Sequence, residues 1–306
     1  MSIRNDIGQK WSSVKQRTVD KPWNPLTHLS HQGRSRGWNL LLNVLLVLLL
    51  FVVVFPIFWM VSTALRPTDM IYNVPQTLLP QAVSVENFVN TFEGTNFPTY
   101  FTNSMILSVG VVGVTTSMST LAGYGLTRID IPHKKTFARI ILFGYMFPQI
   151  LLAIPMFIFW SRIGLINSHL GLILAVTATA LPFGIWLMWK FFQNVPISLE
   201  ESAQMAGASP FRAFYEIALP MAKPGVIAVA IFSYATAWGA YTIPRIIMPT
   251  SENWPLTVGI HMFTIQKQTL WGEVMAASVM MVIPAFIFVF ALQKYLLEGF
   301  EVGGQM

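Results

Sequence analysis

Long apolar runs separated by short polar or basic stretches dominate the chain. A bilayer's hydrocarbon core takes about 20 apolar residues as a helix. Six stretches of that kind predict membrane spans, at about 38–61, 102–126, 137–160, 170–189, 226–247 and 274–296. The first is nearly all Leu, Val and Phe. The others carry Gly, Ser, Thr and Pro, and small residues let helix backbones approach within a bundle. Pro56, Pro148, Pro155, Pro182, Pro244 and Pro284 lie inside or near the ends of spans. Neighbouring helices can satisfy the carbonyls that proline frees, so these residues read as kinks and not as breaks. The expected fold is all-α, a polytopic membrane protein of six transmembrane helices.

Composition agrees. Of the 306 residues 54% are hydrophobic and 10% charged, against about 25% charged in a soluble domain. So few charges cannot cover a water-soluble globule, and 13% aromatic residues are the opposite of a disordered composition. Cysteine is absent, which removes disulfides, thiolate zinc sites and cysteine nucleophiles. The net charge is +6, and topology explains it. Fifteen of the 19 basic residues fall before span one, between spans two and three or in the first turn of span three, between spans four and five, or at the end of span six. The positive-inside rule therefore puts both termini in the cytoplasm. Residues 1–37 form a cytoplasmic basic segment and residues 38–306 the transmembrane domain. No separate basic domain remains for a nucleic-acid partner. The first apolar run is too long and starts too late for a signal peptide, so it is a retained span.

The connections carry their own grammar. The outer one, 62–101, is long and holds Pro67, Pro75, Pro80 and Pro98; its length predicts short helices or a folded lid. In the outer connection 248–271, Trp254 and Trp271 mark the membrane interface, with sugar stacking as the alternative. Arg245, near the outer end of span five, is expected to snorkel to that interface, with pairing to an acid of the partner as the alternative. The cytoplasmic connection runs from Gln193 to Gly225. Ser198 and Glu201 have the spacing of a capping box, Gly207 is a helix stop, and Ser209-Pro210 is a fresh start. Phe211, Phe214, Tyr215, Ala218 and Leu219 recur at helical spacing. Two short helices joined at Gly207 follow, and their apolar face must be buried against another protein subunit.

Candidate chemistry is sparse. No G-x-x-x-x-G-K-[ST] loop occurs, so the chain does not itself hydrolyse ATP. His28, His31, His133, His169 and His261 show no metal-ligand spacing. None of the 13 acids lies deep in a span, whereas proton and sodium relays are built from intramembrane ionisable residues. A catalytic pair inside the spans is not evident, so the chain is not expected to be an enzyme. The Met-rich character, with Met275, Met280 and Met281 in span six, reads as packing. Energy for any transport must come from a partner.

One cytoplasmic pattern is specific. Glu201-Ser202-Ala203, three residues, Gly207, nine residues, Ile217, one residue, Leu219-Pro220 resembles the EAA loop of ABC importer permeases. The resemblance covers nearly the whole chain. Arg66-Pro67, Asn87-Phe88, Gly123-Tyr124-Gly125-Leu126-Thr127-Arg128, Gly164-Leu165-Ile166-Asn167 and Gln293-Lys294-Tyr295 are similar to the carbohydrate branch, the maltose-type and glycerol-phosphate-type second permeases. The resemblance implies a multi-pass protein of a prokaryotic inner (plasma) membrane, set in lipid and paired with a second permease subunit. It also implies a cytoplasmic ABC ATPase dimer, which binds the ATP and Mg, and an extracytoplasmic solute-binding protein; no cofactor belongs to this chain. The ATPase-coupling residues it implies are Glu201, Ser202, Ala203 and Gly207, with Ala208, Ile217, Leu219 and Pro220 in support. Two departures stand out: Ala206 where the family often has Asp, and Trp238-Gly239-Ala240 where it often has Trp-Asn-Glu.

A sugar pathway needs hydroxyl, amide and flat aromatic groups without net charge. Candidates are Asn103, Tyr145, Gln149, Tyr234, Trp238 and Tyr241. Helix–helix hydrogen bonding is the alternative for each, and the sugar site of this branch can lie mainly in the partner permease. The expected solute is a sugar, oligosaccharide or polyol. Amino acids, polyamines or phosphate are the alternative within the class. An ion-coupled carrier would need inverted repeats with midplane charges, which the sequence does not show.

Overall fold

The computed structural model describes residues 36–72, 77–263 and 270–303, and among these the chain is helical with no strand. The basic segment at 1–37, except for its last two residues, lies outside the described residues, as do Pro75 and Lys267. Two compact units divide the chain, at 1–57 and 58–306. Helix α1 spans Arg36–Ala64. Most of its leucines and valines, Leu45, Leu49 and Val52 among them, are not covered by the rest of the chain, and a helix apolar on every side is one that a membrane can cover.

A 3₁₀ turn at Thr68–Met70 and α2 (Glu86–Gly94) occupy the long connection, which thus contains the short helices its length predicts. Asn87 fastens it. Its amide donates to the carbonyls of Ala64 and Arg66 at 3.0 and 2.7 Å, closing the C-terminal end of α1. The remaining helices are α3 (Phe97–Arg128), α4 (Lys134–Tyr145), α5 (Gln149–Arg162), α6 (His169–Gln193), α7 (Ile197–Met205), α8 (Pro210–Met221), α9 (Lys223–Trp238), α10 (Thr242–Ile247), α11 (Leu256–Met262) and α12 (Trp271–Gly303). Four helices are long and apolar enough to cross a membrane, or six if each of two bent pairs counts as one span.

The centre is the contact between α3 and α6. A Cβ on Gly110 would meet Ile173, one on Gly184 would meet Ser119, and one on Gly123 would meet the Met188 backbone. These contacts climb both helices together, so α3 and α6 run in the same direction. α9 packs on both, and the Trp238 indole N–H reaches across to the Met281 carbonyl of α12 at 3.2 Å. Leu107, Val111, Leu172, Val176, Ile243 and Ala277 fill the main core.

Two expected spans are not continuous helices. The stretch 137–160 is α4 and α5, which meet at 92°. Pro148 sits at the N-cap of α5 and therefore breaks the helix where a kink was expected. The residue before proline is pushed out of the helical region, and nothing on α4 continues past Met146. The stretch 226–247 is α9 and α10, separated at Gly239–Tyr241. There the freed Ala240 carbonyl accepts the Thr257 hydroxyl at 2.5 Å, so tertiary structure holds the break open. Pro56, Pro155, Pro182 and Pro284 remain inside helices. Trp254 is not an interface marker. It is buried, donates to the Met248 carbonyl at 2.7 Å, and carries the Arg245 guanidinium over its ring at 5.1 Å. Arg245 thus rests on its own chain, while Trp271 is exposed.

Because backbone atoms confront a Cβ at Gly123, Gly123→Val is expected to cost about 1–3 kcal/mol of stability by overpacking. Gly113→Ala faces open space and is expected to leave the unfolding midpoint unchanged or raised; thermal unfolding of the two variants in detergent compares them.

Candidate functional site

The segment from Gln193 to Gly225 forms the two short helices that its sequence predicts. α7 begins at Ile197 with Pro196 at its N-cap and no side-chain cap. The expected capping box of Ser198 and Glu201 is therefore absent. Pro196 enters the helix two residues early, Ser198 lies within the first turn, and its carbonyl accepts the Ser202 hydroxyl at 2.7 Å. The helix stop is as expected. Gly207 has φ +94°, a left-handed conformation that strains any side chain. Its N–H donates to the Gln204 carbonyl and the next N–H, of Ala208, to the Ala203 carbonyl, both at 3.0 Å. This double bond pattern is the Schellman close of a helix. Ser209 then accepts the Arg212 N–H at 3.2 Å, and Pro210 fills the first position of α8.

α8 is α-helical at Pro210–Ala213, a π turn at Phe214–Ala218, and α-helical again at Leu219–Met221. Phe214, Ala218 and Ala222 point into a second core with Met188, Phe192, Val195 and Val229. The Phe214 ring lies 4.6 Å from that of Tyr124 on α3.

The strongest interaction in this segment involves a residue that the sequence pattern did not single out. Glu200 is 3% exposed. One carboxylate oxygen accepts Arg128 Nη2 at 2.5 Å and Arg128 Nε at 2.8 Å, and the other accepts the Tyr124 hydroxyl at 2.7 Å. Arg128 also donates to the carbonyls of Val195 at 3.0 Å and Phe192 at 3.4 Å, beyond and within the end of α6. The acid lies in the first turn of α7, where the helix dipole favours negative charge. Tyr124 and Arg128 are four apart on α3 and so share a face. That spacing was the available signal. Nothing local revealed that the partner lies 72 residues onward.

The expected coupling residues are placed as follows. Glu201, Ser202, Gly207 and Pro220 are exposed, and Ala203, Ala208, Ile217 and Leu219 are partly covered. Large apolar side chains stand beside them in the open, with Met205 90%, Phe211 73% and Tyr215 62% exposed. Together they give this side of α7–α8 an exposed apolar surface. Arg212 and Glu216 form a surface ion pair on α8 at 2.9 Å.

The six pathway candidates divide. Asn103 is buried, donates to the Glu252 and Trp254 carbonyls at 2.8 and 3.0 Å, and meets His169 Nε2 at 3.0 Å. Trp238 and Tyr234 are buried with their rings stacked 5.5 Å apart, and Tyr234 also stacks on Phe288 at 4.0 Å. Tyr145, Gln149 and Tyr241 are exposed. Tyr145 rests against Phe183 and Phe232, and Tyr241 lies edge-on to His261. The structure therefore does not gather the six into one site. Among the described residues no cluster of three or more metal-ligating side chains occurs.

Comparisons with known proteins add the context. Residues 116–301 match the family described as binding-protein-dependent transport system inner membrane component. The chain is 30% identical over 262 residues to the diacetylchitobiose uptake system permease protein NgcG of Streptomyces coelicolor, covering 85% of this chain and 86% of that one. It is 29% identical to the trehalose/maltose transport system permease protein MalG of Thermococcus litoralis, covering 87% of this chain and 96% of the relative. A solved structure of a bacterial ABC transporter involved in import of the acidic polysaccharide alginate superposes with a TM-score of 0.77. It has 22% identity and covers 87% of this chain and 99% of its own.

Removing Glu200 strands a guanidinium away from water. Glu200→Ala is expected to destabilise the chain by about 3–5 kcal/mol, as breaking buried pairs does. Its exposed neighbour should behave differently, with Glu201→Ala changing stability by less than about 0.5 kcal/mol. Denaturant unfolding of the purified chain checks both.

Proposed function

The chain belongs to the binding-protein-dependent transport system inner membrane components, and on that premise we propose that it forms half of an importer's pathway for a sugar, oligosaccharide or related polyol. It is a multi-pass inner-membrane transport permease of the ABC class and not an enzyme. The remaining half of the pathway comes from a second permease subunit. Exposed Tyr145, Gln149 and Tyr241 are the side chains of this half free to face solute or that partner. Relatives named for diacetylchitobiose, trehalose and maltose transport support a carbohydrate as the solute.

The observation that carries the mechanism is the uncovered α7–α8 pair. Its Met205, Phe211 and Tyr215 protrude beside Glu201, Ser202 and Gly207, on a unit otherwise packed into the bundle through Phe214 and Ala218. We assign this surface to a cytoplasmic ATPase dimer, which binds ATP and Mg, and place both chain termini on the same side. The basic residues Arg128, Lys134, Lys135, Arg139 and Lys190 near this end of the bundle support that orientation. ATP-driven closure of the dimer moves α7–α8, and rigid-body shifts of the helices then turn the pathway from one face to the other. A solute-binding protein delivers sugar at the opposite face.

In proteoliposomes holding this chain, its partner permease and the ATPase, ATP hydrolysis is expected to rise when the solute-binding protein is added with trehalose, maltose or diacetylchitobiose. A rise with amino acids or phosphate instead would refute the carbohydrate assignment. Gly207→Val forces a side chain into a left-handed position at about 1–2 kcal/mol. That variant is expected to lose sugar uptake and co-purification of the ATPase while the spans still insert; normal uptake would count against docking at α7–α8.

A further inference from the structure

We propose, on the docking of α7–α8 assigned above, that Glu200 is the positioning residue that passes movement of that unit to α3. Glu200 and Glu201 are adjacent but have opposite surroundings. Glu201 is exposed and free for a partner, and Glu200 is buried with both oxygens engaged inside its own chain. One carboxylate thus remains for docking, and the other ties the docked helix to the bundle.

The tie has directional strength. Arg128 meets Glu200 through both Nε and Nη2, and Tyr124 bonds the second oxygen. The two Arg128 bonds converge on one oxygen and the Tyr124 bond takes the other, so the carboxylate is held on both sides, and charge-assisted bonds are about twice as strong as neutral ones. The apolar contacts of α8, such as Phe214 on Tyr124 and Phe192, can slide without comparable loss. A displacement of α7 is therefore resisted most where Glu200 holds Arg128. Arg128 is the last residue of α3, and its remaining N–H groups hold the carbonyls of Phe192 and Val195 at the end of α6. A pull on α7 reaches the two central helices at one point. α3 is a single 32-residue helix and behaves as a rod. Its opposite end holds Phe101 against Trp238, and Asn103 against the Trp254 carbonyl. Movement at Arg128 is thus delivered to the far side of the bundle. Glu200 does not touch solute in this scheme; it acts through Arg128.

The chain has no cysteine, so a single introduced one reports cleanly. Thr102 is exposed near the far end of α3, about 39 Å from Arg128 at 1.5 Å per helical residue. Thr102→Cys is placed in the full complex, and its maleimide labelling rate is compared without nucleotide and with ATP plus vanadate. With native Glu200 the rate is expected to change on trapping. With Glu200→Gln, which keeps the size and loses the charge, the ATPase is expected to co-purify while the nucleotide-dependent change disappears. Persistence of the change in Glu200→Gln overturns the proposal and leaves docking intact. Loss of the ATPase from Glu200→Gln overturns it as well, since Glu200 then serves assembly. No response at Thr102→Cys in the native background overturns it too. If the native chain captures no ATPase, the docking assignment falls and this proposal with it. If Glu200→Gln does not fold, Tyr124→Phe, which removes only a hydroxyl, is expected to reduce the response. A full response there would assign the cluster to folding alone and overturn the proposal.

Discussion

A carboxylate and a guanidinium taken out of water each lose several kcal/mol of hydration, which only close and multiply bonded geometry offsets. The Glu200–Arg128 pair meets that demand with two bonds between the ions, a tyrosine hydroxyl on the acid and two backbone carbonyls on the base. The ends of α3 and α6 and the start of α7 are consequently held by charge, and hydrophobic burial completes the arrangement around them. With Phe214 and Ala218 turned inward against this knot, the opposite side of α7–α8 is left uncovered among the described residues.

Elsewhere the constraint is proximity. Lipid is as apolar as leucine, so helices in a membrane associate through packing and not through hydrophobic expulsion. α3 and α6 approach closely because Gly110, Gly123 and Gly184 leave room for Ile173, Met188 and Ser119. Burial follows the same hierarchy. In the most apolar window of α6 44% of the residues are buried, against 17% for α12, so α6 is central and α12 peripheral. The exposed leucines, phenylalanines and isoleucines of α4 and α5 belong against lipid or a neighbouring subunit.

The division of labour follows from what the chain carries. It has an exposed apolar surface on α7–α8, a closely packed pair of central helices and polar aromatic side chains, but no phosphate-binding loop. Tyr145 and Gln149 lie exposed at the bend between α4 and α5, and Tyr241 in the gap between α9 and α10. Irregular backbone at membrane depth is tolerated where protein or a water-filled path satisfies it.

Several features were legible in the sequence because their causes are local. Four apolar runs of spanning length, the left-handed stop at Gly207 and the Ser209-Pro210 start each depend on a few neighbouring residues, and each appears in the structure. The proline at 148 was not decidable in that way. Whether a freed backbone group produces a kink or a break depends on what lies nearby in space, just as the opening after α9 depends on Thr257. Trp254 looked like a surface residue until Tyr100 and Arg245 were found against it. The same limit separates the two adjacent glutamates of α7. They are chemically identical and point about 100° apart on a 3.6-residue helix. Their composition and spacing established that one could face a partner. Which one is buried was settled only when folding brought Arg128 and Tyr124 to one side of the helix, because the energy of a buried charge is set by its neighbours in space.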